Sequence, residues 1–384
     1  MVKTGVLVVG YTPAGISAAI QSAHSGVKTV LADPGEFESL SLTDDDKKIF
    51  SGTYELFTKR VEGAQKYPVT PTQVFSPSFT GLIFKAWADT VKNLSLMKKA
   101  SVKSIKKEGK NWLLVLSNKK EVKADVVIDA TNDGYVATLA GVKFSTPARD
   151  ASAGDAVYSS NIYRTGVAIL NRVGFQPATL PLKDLISATE NFIVPGNRIY
   201  PPTLAIGQAA GATGAYCSFF KTSTQKLNVR LIQSELIGYK SRLIHFDDVT
   251  DRDSNIVQIE SVALTGILKG KMIGGKFCFL PDSSVSSEEI KLPVKELYSR
   301  SQIWFLDNHS SGLTLKEVLS LMKFTASRGD ELNREVEKGW RSSLKLPGKF
   351  DLNRPVTRRE LAVLFAVYLK PFNVMIDMEG NLKR

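Results

Sequence analysis

Cysteine and histidine are scarce in this chain. Of its 384 residues only two are cysteine and three are histidine. Cys217 and Cys278 lie far apart and outside any C-x-x-C, which argues against a disulfide framework, a thiolate zinc site and a dithiol redox pair. His24, His245 and His309 are just as scattered, so no metal site is expected. Long apolar runs are missing too. The longest uncharged stretch, residues 199–220, carries Pro201, Pro202, Gln208 and three glycines, with few large aliphatics. No membrane span is expected from it, in spite of Gly207-x-x-x-Gly211. The first residues run straight into a strand-like segment rather than a secretory leader. The expectation is a cytoplasmic protein, with the cell envelope as the alternative.

Acid is also in short supply. Fifty Lys and Arg face 38 Asp and Glu, a net charge of +12. Such an excess suits nucleic acid or an anionic surface. Nine lysines fall between Lys98 and Lys123, yet they read as the solvent face of β-strands. They lack the interleaved aromatics of a base-stacking platform. A nucleic-acid partner is not expected; an anionic small-molecule substrate remains compatible.

What the chain does have is concentrated at its start. Val6 to Val9 is an apolar run of strand length, as expected of a parallel strand buried on both faces. Gly10-Tyr11-Thr12-Pro13-Ala14-Gly15 follows at once. A helical pattern then carries Ile16, Ala19, Ile20 and Ala23 on one face and stops at Gly26. A second apolar strand ends on Asp33. Strand, glycine turn, helix, strand and acid within about thirty residues form the dinucleotide-binding fingerprint. Gly10 permits the tight turn and Gly15 lets the helix lie close to the sheet. The helix start offers N–H groups and a positive dipole end to a pyrophosphate. Asp33 is placed for a ribose hydroxyl, which favours an unphosphorylated adenosine ribose. Thr12 stands where a glycine normally clears space for phosphate; its Cβ narrows the approach, and its hydroxyl is available to a phosphate oxygen.

Further along, residues 36–80 read as loop and short helix. A helix is expected from Thr80, with Phe84, Trp87, Ala88 and Val91 inward. Residues 100–106, 112–117 and 121–123 read as a β-meander. It leads into a second buried strand, Val126 to Ile128, followed by Asp129-Ala130-Thr131-Asn132-Asp133-Gly134. Ligands of open α/β sheets sit at such strand ends. Residues 145–190 look irregular. After Arg198, a helix of small residues is expected from Ala205 to about Phe220. So many glycines weaken a helix, which makes sense if a cofactor ring or another helix must come close.

These three segments resemble the FAD-dependent oxidoreductases of the glutathione-reductase type. The nearest pattern is the branch whose motifs read GGGPAG, IDATGDG and an Arg followed by a GQAAG helix. The resemblance covers residues 4–240 and implies an α/β, Rossmann-like FAD/NAD(P)-binding domain with FAD extended across the sheet. It implies that Gly10, Thr12, Pro13, Ala14 and Gly15 meet the pyrophosphate and Asp33 the ribose. Ala130 and Thr131 would flank the adenosine side. Arg198, Gly207 and Gln208 would approach the flavin end. Tyr11, Thr12 and Asn132 depart from the family glycines, and about sixty-five residues stand where members carry a substrate domain, so the region 135–197 is reduced.

The last third contains an internal repeat. Residues 279–290 align with 350–361, each unit ending in a capping-box pattern, Ser286-x-x-Glu289 and Thr357-x-x-Glu360. Helices are expected after both, one from Arg358 to about Tyr368, and another from Ile256 to Leu268. Phe246-Asp247-Asp248-Val249 and Thr357-Arg358-Arg359-Glu360 resemble degenerate S-layer-homology repeats, a family whose members anchor proteins to cell-wall polymers. A helical accessory domain is the preferred expectation. The chain is thus divided into an FAD-binding domain, 1–240, and a mainly helical domain, 241–384.

The leading functional expectation is a flavin oxidoreductase taking hydride from a small-molecule substrate. The alternatives are a degenerate flavin-binding protein whose C-terminal repeats bind a partner or the cell envelope, and an NAD-dependent enzyme. No general base is assigned; His245, beside Asp247 and Asp248, reads as structural.

Overall fold

A computed structural model describes residues 1–33, 35, 40–41, 51–70, 73–142, 160–173, 176–195 and 203–383. Among these the chain divides into two compact units. Unit 1 takes 1–153, 165–172 and 178–243; unit 2 takes 154–164, 173–177 and 244–384.

Unit 1 is an α/β sheet of seven described strands. Strand β1 (Val2–Val9) lies at its centre and leads into helix α1 (Pro13–His24) and strand β2 (Thr29–Asp33). Helix α2 (Gly52–Gln65), helix α3 (Pro77–Thr90) and strand β3 (Leu94–Lys98) follow. The meander is β4 (Val102–Glu108), β5 (Asn111–Leu116) and β6 (Glu121–Asp129). The order across the sheet is β3-β2-β1-β6-β5-β4, with a short strand, Phe192–Ile193, also on β6. β1 runs parallel to both β2 and β6, pairing Val9 with Ala32 on one side and Asp129 on the other. This register brings Gly10, Asp33 and Ala130 to one edge, the carboxyl ends of the strands.

Alternation in β1 serves two cores at once, because successive side chains point to opposite faces. Leu7 and Val9 join Trp112, Leu114, Leu116 and Phe192 under the meander. On the other face a helix α4 (Leu204–Phe219) packs so closely that a Cβ on Gly214 would stand 3.1 Å from Ile128 and 3.5 Å from Val6. The meander lysines 103, 106 and 107 are exposed, and the Lys107 ammonium lies 4.7 Å from the centre of the Trp112 ring.

The short helix expected within 36–80 is α2, which runs for 14 residues and buries Tyr54, Phe57, Thr58 and Val61 at helical spacing. One expectation needs correction: 145–190 is not irregular throughout, because Gly166–Val173 and Gln176–Pro181 pair as a two-stranded sheet. Gly166-Val167-Ala168-Ile169-Leu170 is the apolar run that signals the first of these strands.

Unit 2 is mainly helical. Its Thr357 hydroxyl and Glu360 carboxylate form a complete capping box, followed by a helix Arg358–Leu364 and one π-helical turn to Leu369. A second complete box, unanticipated, stands at Thr314 and Glu317. Ser286 caps its helix through Glu289 N–H at 3.2 Å, but the Glu289 carboxylate turns to Arg358 instead of returning to the cap. The helix from Ile256 ends at Ala263, five residues short of the expected end. Among the described residues no helix is long and apolar enough to cross a membrane.

Candidate functional site

The site begins with a turn that only glycine permits. Gly10 leaves β1 at a φ of +120°, and a Cβ there would stand 2.5 Å from the Ala130 carbonyl oxygen. Gly10 N–H donates to Ala32 O at 3.0 Å and Ala130 N–H to Val9 O at 2.8 Å, so three strand ends are tied together. A Cβ on Gly15 would overlap the Gly10 carbonyl oxygen. Both glycines are therefore dictated by backbone approach.

Around this turn the Thr12 hydroxyl and the Asp33 carboxylate are already partnered. Thr12 is the N-cap of α1 and is 2% exposed. Its Oγ1 accepts from Gly15 N–H at 3.1 Å and donates to Ala130 O at 2.8 Å. The sequence reading left this hydroxyl available to phosphate; the structure turns it inward. Asp33 accepts from Tyr11 N–H at 2.8 Å and from Gly35 N–H at 2.6 Å, while remaining partly exposed at the strand end. Burial, with the Asp33 charge second, pushes the Tyr11 phenol up to about 12, so it stays neutral.

Asp129, which the sequence does not mark as a site residue, organises the second strand end. Fully buried, it accepts from Thr131 N–H at 3.1 Å, Thr131 Oγ1 at 2.6 Å and Ala137 N–H at 2.7 Å. Burial raises its carboxyl pKa and these three bonds oppose the rise. Thr131 is thereby oriented by Asp129. An acid at the end of an apolar strand, two residues before a Thr, is the signal that finds it.

The flavin-end expectations meet a different arrangement. A Cβ on Gly207 would run into the Ala14 backbone, and one on Gly211 into Ala18. The small-residue stripe of α4 thus serves contact with α1, the helix alternative of the sequence reading. Ser17 Oγ donates to Leu204 O at 2.6 Å and Ser22 Oγ to Gly211 O at 2.9 Å, stitching the same crossing. Gln208, 2% exposed, accepts from Thr53 N–H and Oγ1 at 3.0 and 2.9 Å and donates to Gln21 at 2.8 Å. Its amide is spent on joining α1, α2 and α4. Arg198 lies outside the described residues.

The donor set can be tested against the adenosine–pyrophosphate end of FAD. In the first turn of α1, Pro13 has no N–H, Gly15 is capped by Thr12, and Ile16 N–H donates to Thr12 O at 3.0 Å. Ala14 N–H has no acceptor among the described residues, at the positive end of a helix. Asp33 keeps lone pairs for a ribose hydroxyl. These residues fit the group at its adenosine end.

Other candidates are structural. In unit 2, Asp247 accepts from Phe277 N–H, and Asp248 from Phe279 and Leu280 N–H, each at 2.7 Å. His245 Nε2 lies 3.8 Å from Asp247. Those carboxylates hold a turn. No cluster of three or more His, Cys, Asp or Glu among the described residues is set to hold a metal. Cys217 is 1% exposed, and burial, then the Glu190 charge, pushes its thiol up to about 12. We expect Cys217 to resist iodoacetamide at pH 8 in the native protein and to react fully in denaturant, as mass spectrometry would read. A cavity of about 230 Å³ beside Ser25, Phe219 and Phe220 lies at the far ends of α1 and α4 and is not part of the cofactor site.

Comparison with known proteins addresses the same region. Residues 5–174 match the family model described as FAD dependent oxidoreductase. No curated protein matches the chain. Similar solved structures include the p-nitrophenol 4-monooxygenase PnpA of Pseudomonas putida DLL-E4, at 13% identity and TM-score 0.30, over 38% of this chain and 44% of that one. The bacillithiol disulfide reductase of Staphylococcus aureus is 16% identical, TM-score 0.26, over 34% and 39%. The thioredoxin reductase of T. acidophilum is 17% identical, TM-score 0.23, over 42% of each chain. The chain thus spans less than half the length of these structures. Residues 5–174 carry the family match, and with it FAD as the cofactor.

Proposed function

We propose that the protein is an FAD-dependent oxidoreductase that takes hydride from a small-molecule substrate. The observation that carries this reading is the turn at Gly10 and Gly15, with Ala14 N–H and Asp33 set at one sheet edge, inside the matched segment. When bound, FAD supplies a two-electron acceptor in its isoalloxazine ring. The chain's own part is positional. Asp33 would accept from the ribose, Ala14 N–H and the α1 dipole would hold the pyrophosphate, and Thr131, fixed by Asp129, would stand beside the adenosine. Gly10, Thr12, Pro13 and Gly15 shape the turn that meets the phosphates.

The glutathione-reductase type is our reading of the branch, and a cytoplasmic location our reading of where it works. The division at about residue 240, followed by a helical accessory domain, belongs to the same proposal; the S-layer-homology-like repeats are its less favoured refinement, since the Thr357–Glu360 box is a helix start that any capped helix can have. A second reading, a flavin-binding protein without catalysis, is favoured by one observation: the amide of Gln208 is consumed in packing.

The test is the absorbance spectrum of the purified protein, before and after incubation with FAD. The visible absorbance bands of a bound flavin are expected. A colourless protein that cannot be reconstituted with FAD overturns both readings. Photoreduction followed by exposure to air then separates them, since only a redox-competent flavin bleaches and recovers.

A further inference from the structure

A capping side chain and a bound anion compete for the same helix N–H groups, because both are acceptors for the unpaired donors of the first turn. At α1 the side chain holds that place. Thr12 Oγ1 accepts from Gly15 N–H at 3.1 Å, and its own hydrogen is given to Ala130 O at 2.8 Å, on the neighbouring strand end. Its backbone, at φ −74° and ψ 161°, is ordinary extended geometry, so the cap costs no strain. The adjoining N–H, that of Tyr11, is likewise satisfied by Asp33. Two N–H groups of the turn, those of Tyr11 and Gly15, are thus taken by side chains of the unit itself.

We propose that Thr12 is a built-in surrogate for a phosphate oxygen: it stabilises the cofactor-free turn and sets how tightly the pyrophosphate of FAD is held. This rests on the FAD reading above. With Gly15 N–H capped and Pro13 lacking one, Ala14 is left as the first-turn donor for the anion. The Thr12 hydroxyl is not a direct phosphate ligand, because its hydrogen is committed to Ala130. Two properties then trade off at one residue. A side chain that keeps the cap protects the empty protein, and one that loses it releases a donor to the cofactor.

The experiment uses full-length protein freed of flavin, with FAD and ADP as probes; ADP isolates the adenosine–pyrophosphate end. Thr12→Ala removes the oxygen and keeps the Cβ. Thr12→Ser keeps the oxygen and both of its bonds. For Thr12→Ala the dissociation constants of both FAD and ADP should fall about tenfold, the worth of one hydrogen bond to a charged group. Its cofactor-free melting temperature should fall by about 3 °C, as for loss of a helix cap in a domain of this size. Thr12→Ser should match the wild type in both. Unchanged or weaker binding of FAD and ADP by Thr12→Ala overturns the proposal while leaving the FAD reading intact. If the wild type and both variants bind neither probe, the FAD reading falls and the proposal falls with it.

Discussion

Gly15→Val should yield protein that purifies without flavin and binds ADP at least about a hundredfold more weakly than the wild type. The reason is backbone, not side chain. A Cβ at this position overlaps the Gly10 carbonyl oxygen and comes within 3.1 Å of the Ala130 Cβ, so no rotamer relieves it. Helix α1 must then move off β1, and it carries Ala14 and Thr12 with it. Overpacking of this kind costs about 1–3 kcal/mol where side chains can shift, and more against a fixed carbonyl. Because α1 also rests on α4 through Ala14 and Ala18, the shift has nowhere to go without opening that crossing. A control separates close approach from mere loss of glycine. Gly63 sits on the exposed side of α2 with nothing within 4 Å of its would-be Cβ. Gly63→Ala should therefore stabilise unit 1 by about 0.5–1 kcal/mol through helix propensity alone, with flavin retained. Flavin content and thermal melts of the two variants check both statements; Gly15→Val protein with normal flavin content would refute the placement of the turn.

The opening fingerprint was legible because its physics is local. A strand, its turn, a helix and a second strand lie within about thirty residues, and the contact that dictates Gly15, with the Gly10 carbonyl oxygen, falls inside that span. The inward turn of Thr12 was not legible, since its acceptor, Ala130, is 118 positions away. Gln208 shows the same limit. Its partners Thr53 and Gln21 come from two other helices, one of them inside a region that reads only as loop and short helix. The glycine stripe of α4 offered two explanations, a cofactor ring or a helix. Only the approach of Gly207 and Gly211 to Ala14 and Ala18 chooses the helix. In unit 2 the Thr314–Glu317 box carries the same S/T-x-x-E spacing as Ser286 and Thr357 but lies outside the repeat, so its spacing alone announces it.

Unit 2 also depends on a residue that a cut at residue 240 would leave behind. Arg164 precedes that boundary by 76 positions, yet it belongs to unit 2 and is 1% exposed. Its guanidinium donates to both Glu296 oxygens at 2.9 and 2.7 Å, to Thr265 O at 3.1 Å and to Gly380 O at 3.3 Å. One side chain thus ties together three segments between residues 265 and 380. Arg164→Met keeps the apolar stem and strands two carbonyls and a carboxylate. Glu296 is about half exposed and can be rehydrated, so the loss is below that of a fully buried pair. We expect about 2–4 kcal/mol, a drop of about 5–10 °C in the melting of unit 2. Arg164→Lys should recover little, because an ammonium cannot reproduce the fork to Glu296 together with the carbonyl bonds. The isolated fragment 244–384 lacks Arg164 altogether and should melt at least as low as the Arg164→Met protein. Calorimetry of full-length wild type, Arg164→Met and the fragment decides it. A fragment as stable as unit 2 in the whole chain would show that the Arg164 guanidinium contributes nothing to it.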